Sequence, residues 1–104
     1  MKIANMMKQA QAMQAKMKEM QEKLADMTVE GQSGGSMVRV TMYGNGVVSS
    51  VKLDDNLIDR DEKDVLEDLI VAAVNDARER VETLVSEKTQ EIMGGVDLPG
   101  GLPF

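Results

Sequence analysis

Cysteine and histidine are both absent from this 104-residue chain. Without cysteine there are no disulfides and no thiol chemistry, which fits a reducing cytosol. Without histidine the commonest general base and the commonest nitrogen metal ligand are missing. Ser33, Ser36, Ser49, Ser50 and Ser86 therefore have no imidazole to activate them. Tryptophan is also absent, and Tyr43 and Phe104 are the two aromatic residues, so stacking on single-stranded bases is poorly supported. No stretch approaches the roughly 20 apolar residues needed to span a bilayer, and polar residues interrupt the start where a signal peptide would be apolar. These absences predict a soluble, intracellular protein that is not an enzyme and has no cofactor, metal, membrane or small-molecule partner.

Two features could suggest chemistry and are better read otherwise. The carboxylates at Asp54-Asp55 and Asp59–Asp61 suit solvated turns and helix caps. Gly31-x-x-Gly34-Gly35 lies between candidate strands and lacks Gly-Lys-Ser/Thr, so it is a loop and not a phosphate cradle.

What is present in abundance is methionine, and much of it is periodic. Ile3, Met6, Ala10, Met13, Met17, Met20, Leu24 and Met27 step by three and four. That spacing lines one side of a helix of about four heptads and favours packing against another helix. Intervening Lys, Gln, Ala and Glu are all good helix formers. Methionine adapts to many surfaces, so the seam predicts a helical partner without specifying it.

The spacing predicts a first helix over residues 3–27, after which Thr28 and Val29 prefer strand. Gly31, Ser33, Gly34, Gly35 and Ser36 mark a loop. Val38, Val40 and Met42 alternate with Arg39, Thr41 and Tyr43, and Val47, Val48, Val51 and Leu53 follow Gly44-Asn45-Gly46. This predicts a β-hairpin of 37–43 and 47–53 about a two-residue type I′ turn at Asn45-Gly46, with 28–32 as a third strand. Asp59 and Asp61 are candidate N-caps for a second long helix. Its apolar stripe runs through Val65, Leu66, Leu69, Ile70, Ala73, Val74, Ala77, Val81, Leu84 and Val85. Gly94-Gly95 is a natural stop. Residues 1–95 thus form one α+β domain, and 96–104, with both prolines, form a flexible tail. At 1.5 Å per residue the helices are roughly 37 and 50 Å long, too long for a compact body of ~13 Å radius. They should protrude, and the unsatisfied seam predicts a homodimer.

The net charge of −6 is uneven. Residues 1–28 hold five lysines against Glu19, Glu22 and Asp26, while the remainder holds seven bases against fifteen acids. With Ile3 at heptad position a, Lys8, Lys16, Lys18 and Lys23 fall outside the seam on outward faces. Ammonium groups on a projecting rod suit phosphate contacts. Arg78, Arg80 and Lys88 are cations on the last helix, interspersed with Glu79, Glu82, Glu87 and Glu91. No helix-turn-helix spacing is present, which argues against base-specific reading.

The order of elements and several segments resemble the YbaB/EbfC family of bacterial nucleoid-associated proteins, over essentially the whole length. The resemblance is carried by the Met/Gln/Lys-rich first helix, Val29-Glu30-Gly31-Gln32-Ser33-Gly34-Gly35, Met37-Val38-Arg39-Val40-Thr41, Gly44-Asn45-Gly46 and Val51-Lys52-Leu53. It is carried most specifically by 66–77, Leu-Glu-Asp-Leu-Ile-Val-Ala-Ala-Val-Asn-Asp-Ala, and extends to the tail at Leu98-Pro99-Gly100-Gly101-Leu102-Pro103. The resemblance implies a helix–three strands–helix subunit, α+β, dimerising with its long helices protruding like tweezers. It implies double-stranded DNA as the partner, effects on DNA conformation, nucleoid organisation and gene expression, no enzymatic activity, and a cytoplasmic, nucleoid-associated location. The gripping surface implied by the family maps onto Lys8, Lys16, Lys18 and Lys23, and further onto Arg78, Arg80 and Lys88. The rival reading is a non-enzymatic protein-interaction module that docks through the Met-rich seam or the acidic surface.

Overall fold

The computed structural model describes residues 2–94 and has the order helix, three strands, helix. Helix α1 spans Lys2–Asp26. Its interior is free of glycine, proline and runs of β-branched residues, and Lys23 in the last turn suits the negative end of the helix dipole. Strands β1 (Thr28–Ser33), β2 (Val38–Tyr43) and β3 (Val48–Leu53) form an antiparallel sheet in that order. Two single turns of 3₁₀ helix, Asp55–Leu57 and Arg60–Glu62, lead into helix α2, Lys63–Gly94. Asp54 and Asp59 cap these turns, each carboxylate accepting at 2.9 Å from the backbone N–H two residues on. Asp61, the other candidate cap, lies inside the second turn, because the chain enters α2 through a 3₁₀ turn that starts earlier.

Alternation in β2 turns Val38, Val40 and Met42 to one face, and α2 packs there with Ala73, Ala77 and Val81. Small residues on α2 let the layers approach closely. Gly31 sits in β1 at the crossing, where an added Cβ would lie 2.3 Å from the Ala77 backbone nitrogen. The sequence marks Gly31 as a loop signal while also placing it in the strand at 28–32, and Ser33 as loop; both belong to the strand, and Gly31 is fully committed to this contact. The edge strand β1 is also tied to α2 by polar contacts. The Gln32 N–H donates to the Asp76 carboxylate at 2.9 Å, and the Ser33 hydroxyl donates to the Leu69 carbonyl.

The hairpin forms as expected, but its turn differs. Gly46 has positive φ (88°) and Asn45 does not, so this is no type I′ turn. The Gly46 N–H donates to the Tyr43 carbonyl at 2.8 Å, which centres the turn on Gly44 and Asn45. Left-handed Gly46 then absorbs an extra residue, and the ladder slips so that Thr41 faces Ser50 while Met42 faces Val48. The reason is tertiary. The Gly44 N–H donates to both Leu24 (3.0 Å) and Met27 (2.9 Å) carbonyls, and a side chain there would strike Leu24. The turn is therefore shaped by the C-terminus of α1, which it helps to terminate.

α2 covers β1 and β2 and leaves β3 to one side. Val48 and Val51 point to the same face as Met42 and Val40, as their pairing requires, yet remain 43% and 44% exposed. The molecule extends over 71 × 25 × 16 Å with a radius of gyration of 19.7 Å, well above the ~13 Å of a compact chain this long. Both long helices protrude as their lengths demanded. The expected tail, 96–104, lies outside the described residues.

Candidate nucleic-acid interface

The methionine seam of α1 is used only in part. Met20 and Leu24 are buried (7% and 4% exposed), whereas Ile3 and Met6 are 74% and 66% exposed. Between them Met13 and Met17 are half-buried. The cause is length and direction. α1 runs antiparallel to the end of α2, with the Thr89 hydroxyl 3.9 Å from the Met20 sulfur and Lys16 beside Ile92. Toward its start α1 therefore outruns α2, and the first dozen or so residues, roughly 20 Å of helix, overhang as a single rod.

This rod is where positive charge is least opposed. Residues 1–18 contain Lys2, Lys8, Lys16 and Lys18 and no acid, and Glu19, Glu22 and Asp26 all lie nearer the base. All four lysines are exposed. At 100° per residue, Lys8, Lys16 and Lys23 fall within about 80° of one another on one flank, and Lys18 lies on the side away from α2. Lys16 and Lys23 meet Lys88 across the groove between the helices, which Glu19, Met20, Glu91 and Ile92 also line.

The seven predicted site residues thus divide into two groups. Lys8, Lys16 and Lys18 have no carboxylate within ion-pair distance among the described residues, whereas the other four are shared one helical turn away. Lys23 pairs with Glu19 (3.4 Å), Lys88 with Glu91 (3.5 Å), Arg78 with Glu82 (3.8 Å) and Arg80 with Asp76 (3.3 Å). Such surface pairs are each worth only ~0.2–0.5 kcal/mol, so the cations can be recruited by a polyanion, but their field is diluted. Arg78 and Arg80 also stand apart from the rod. Arg78 lines a groove with Gly44, Asn45 and Val48 beside β3, and Arg80 lies over β1 through Asp76. The Asp76 carboxyl is held below its ordinary value near 3.8, chiefly by the Gln32 backbone N–H, which outweighs the opposing effect of desolvation, with Arg80 adding to the lowering.

Two further cations escaped the sequence reading of the site. Arg39 and Lys52 are directly opposite each other on adjacent strands, both exposed on the sheet face turned away from α2. Strand alternation signalled this placement, since Arg39 separates the inward Val38 and Val40.

Comparison with known proteins agrees with this architecture. The model of the YbaB/EbfC DNA-binding family matches residues 1–96. A nucleoid-associated protein of Methylocella silvestris is 52% identical over 98% of this chain and 97% of its own length. One from Gluconacetobacter diazotrophicus is 49% identical over 98% and 95%. The crystal structure of an uncharacterized protein from Helicobacter pylori superimposes with a TM-score of 0.78 over 90% of this chain and 99% of that one, at 24% identity, and shows the same fold. Family match and identity together establish that this chain belongs to the YbaB/EbfC DNA-binding family.

Proposed function

We propose that the protein is a cytoplasmic, nucleoid-associated homodimer that binds double-stranded DNA, largely through its phosphate backbone, and alters DNA conformation, nucleoid organisation and gene expression. It performs no catalytic step. The observation that carries this reading is the overhanging start of α1, a rod with four lysines and no acid through residue 18 in a chain of net charge −6. Lys8, Lys16 and Lys18 are the primary contacts, and Lys23 and Lys88 flank the adjoining groove. Arg78 and Arg80 are secondary contacts that must be drawn from Glu82 and Asp76. Family membership and the names of the relatives support DNA as the partner.

Dimerisation is supported by the apolar surface that one subunit leaves open. Val48 of β3 lines a groove with Val74 of α2, Val51 on β3 and Val71 on α2 are also exposed, and a second copy docked on this apolar surface would bury them. A two-fold dimer presents two rods to one duplex. Two rods gripping one duplex would also constrain its path.

The test is fluorescence anisotropy of a labelled duplex at 50 and 200 mM salt. Three unpartnered lysines on each of two subunits would release about six counterions, for a loss of about 10³-fold in affinity between those salts. Lys8→Glu with Lys16→Glu lowers the slope of log K against log salt by about 3.6 in a dimer that stays intact. Val51→Asp gives a monomer by sedimentation and halves the slope. No binding at either salt would overturn the reading and favour protein docking on the exposed seam at Ile3 and Met6.

A further inference from the structure

The hairpin shares with the start of α1 a lack of acidic residues. From Gly31 to Leu53 there are 23 residues without one Asp or Glu, although 18 of the 104 residues are acidic. The two charges in that stretch are Arg39 and Lys52, and the register sets them directly opposite each other. Opposed residues on neighbouring strands have Cβ atoms about 5 Å apart, and like charges there repel. Neither cation has a carboxylate within ion-pair distance among the described residues. The adjacent row on the same face is Glu30, Thr41 and Ser50, and Gln32 completes the row of the cations. These two rows therefore offer two adjacent cations, two hydroxyls and one amide against a single carboxylate.

A cross-strand repulsion with no counter-ion is destabilising by itself. A phosphate seated between the two side chains would convert that repulsion into two charge-assisted contacts, with Thr41 and Ser50 able to donate to the neighbouring phosphate oxygens. We propose that this face of the hairpin is a second contact surface for the DNA backbone, with Arg39 and Lys52 holding one phosphate between them. The inference rests on the DNA-binding reading above, but concerns residues outside the helices that carry that reading. It also gives the acid-free hairpin a use, since an ordinary solvent-facing sheet would pair Arg39 with an acid across the ladder.

The test uses the full chain and the same duplex, measuring the slope of log K against log salt for wild type, Arg39→Gln, Lys52→Gln, the double variant, and Lys63→Gln as a charge-matched control at the start of α2. Each lost phosphate contact lowers the slope by about 0.9. The double variant is expected to lose about 0.9 if one hairpin of the dimer engages and about 1.8 if both do. The control is expected to keep the wild-type slope. Melting temperature supplies a readout that a structural role would move the other way: either single variant should melt at or above wild type, because the repulsion is gone. Wild-type slope in the double variant overturns the proposal and leaves the DNA reading standing. A slope lowered equally by Lys63→Gln overturns it as a generic charge effect. Failure of wild type to bind duplex removes both. Should the double variant fold poorly, Lys52→Gln alone decides, since Lys52 is exposed on the outer strand.

Discussion

Gly31→Ala adds one methyl group to β1 at the point where the sheet crosses α2. The new Cβ would stand 2.3 Å from the Ala77 nitrogen, 2.5 Å from the Ala73 oxygen and 2.6 Å from the Ala77 Cα. Ordinary contact begins at 3.4 Å, so sheet and helix must separate by about 1.1 Å. All three atoms are helix backbone and cannot swing aside as a side chain would. Ala73 and Ala77 are wholly buried, as are Val38 and Val40 beside them, so the separation loosens the centre of the only described core. Overpacking typically costs about 1–3 kcal/mol and more when backbone must move. Removing a strand glycine returns no more than ~1 kcal/mol through the unfolded state. A net loss of about 3 kcal/mol is expected, a large share of the ~5–15 kcal/mol that holds a domain together. With a urea m-value of about 2 kcal/mol/M, the midpoint should fall by about 1.5 M at fixed protein concentration. Gly35→Ala is the internal control. Nothing lies within 4 Å of its Cβ position, and its φ of +64° should cost about 1–2 kcal/mol for an L-residue. If Gly31→Ala unfolds at the wild-type midpoint, or above Gly35→Ala, the close crossing at Ala73 and Ala77 is wrong.

Two further outcomes follow from other contacts. Asp76→Asn should lower stability at neutral pH: the folded carboxyl titrates below its ordinary value near 3.8, so its stabilisation is present above that value and disappears as pH falls toward the folded one. Wild type and variant should therefore converge in urea melts once the pH has fallen through the lowered folded value, and a gap that persists in strong acid would show that Asp76 acts through packing. Met20→Ala should cost about 2–5 kcal/mol and loosen α1 from Thr89, while Met6→Ala on the overhang stays within about 0.5 kcal/mol. Equal losses at the two sites would mean that the rod is packed along its whole length.

Elements dominated by local pattern were legible from the residues alone. The period of α1 ran within one residue of its observed ends, and the strand alternation of Val38, Val40 and Met42 gave the core face directly. Features decided by contact between distant segments were not. Asn45-Gly46 has the favoured composition of a two-residue turn, yet Gly44 is drawn against Leu24 and Met27 and the turn reorganises around it. Gly31 falls inside the expected strand at 28–32, but its close contact was hidden because nothing near it in sequence announces Ala73 and Ala77. The seam of α1 is uniform as a pattern, and its division into a buried base and a bare rod depends on where α2 happens to end. Among the site residues, charge and periodicity located the lysines, but which of them have carboxylate partners required the fold.

The location of the acidic residues explains how a chain of this charge can belong to a DNA-binding family. Residues 54–68 hold eight acids, Asp54, Asp55, Asp59, Asp61, Glu62, Asp64, Glu67 and Asp68, against Arg60 and Lys63. That segment alone carries a charge of −6, so the other 89 residues balance at ten bases and ten acids. It forms the 3₁₀ turns and the start of α2, where negative side chains also suit the helix dipole. From Lys63 to Thr89, which lies beside Met20, α2 advances about 39 Å, and from Met20 to Lys2 helix α1 advances about 27 Å in the same general direction. The acidic end and the tip of the rod are therefore separated by nearly the full 71 Å length of the molecule. At physiological ionic strength the Debye length is about 8 Å, so a phosphate at Lys8 or Lys16 is screened from the acidic end by several such lengths. The net charge acts on solubility and long-range encounter, and the proposed DNA contact would be governed by what lies within one Debye length of the rod. That separation weakens at low salt, where the screening length grows to ~30 Å and the acidic ends begin to oppose approach. Wild-type affinity should therefore rise less steeply below about 20 mM salt than above it. A variant with Asp59, Asp61 and Asp64 changed to Asn should restore the straight line, and one that leaves the curvature untouched would show that the acidic end plays no part in binding.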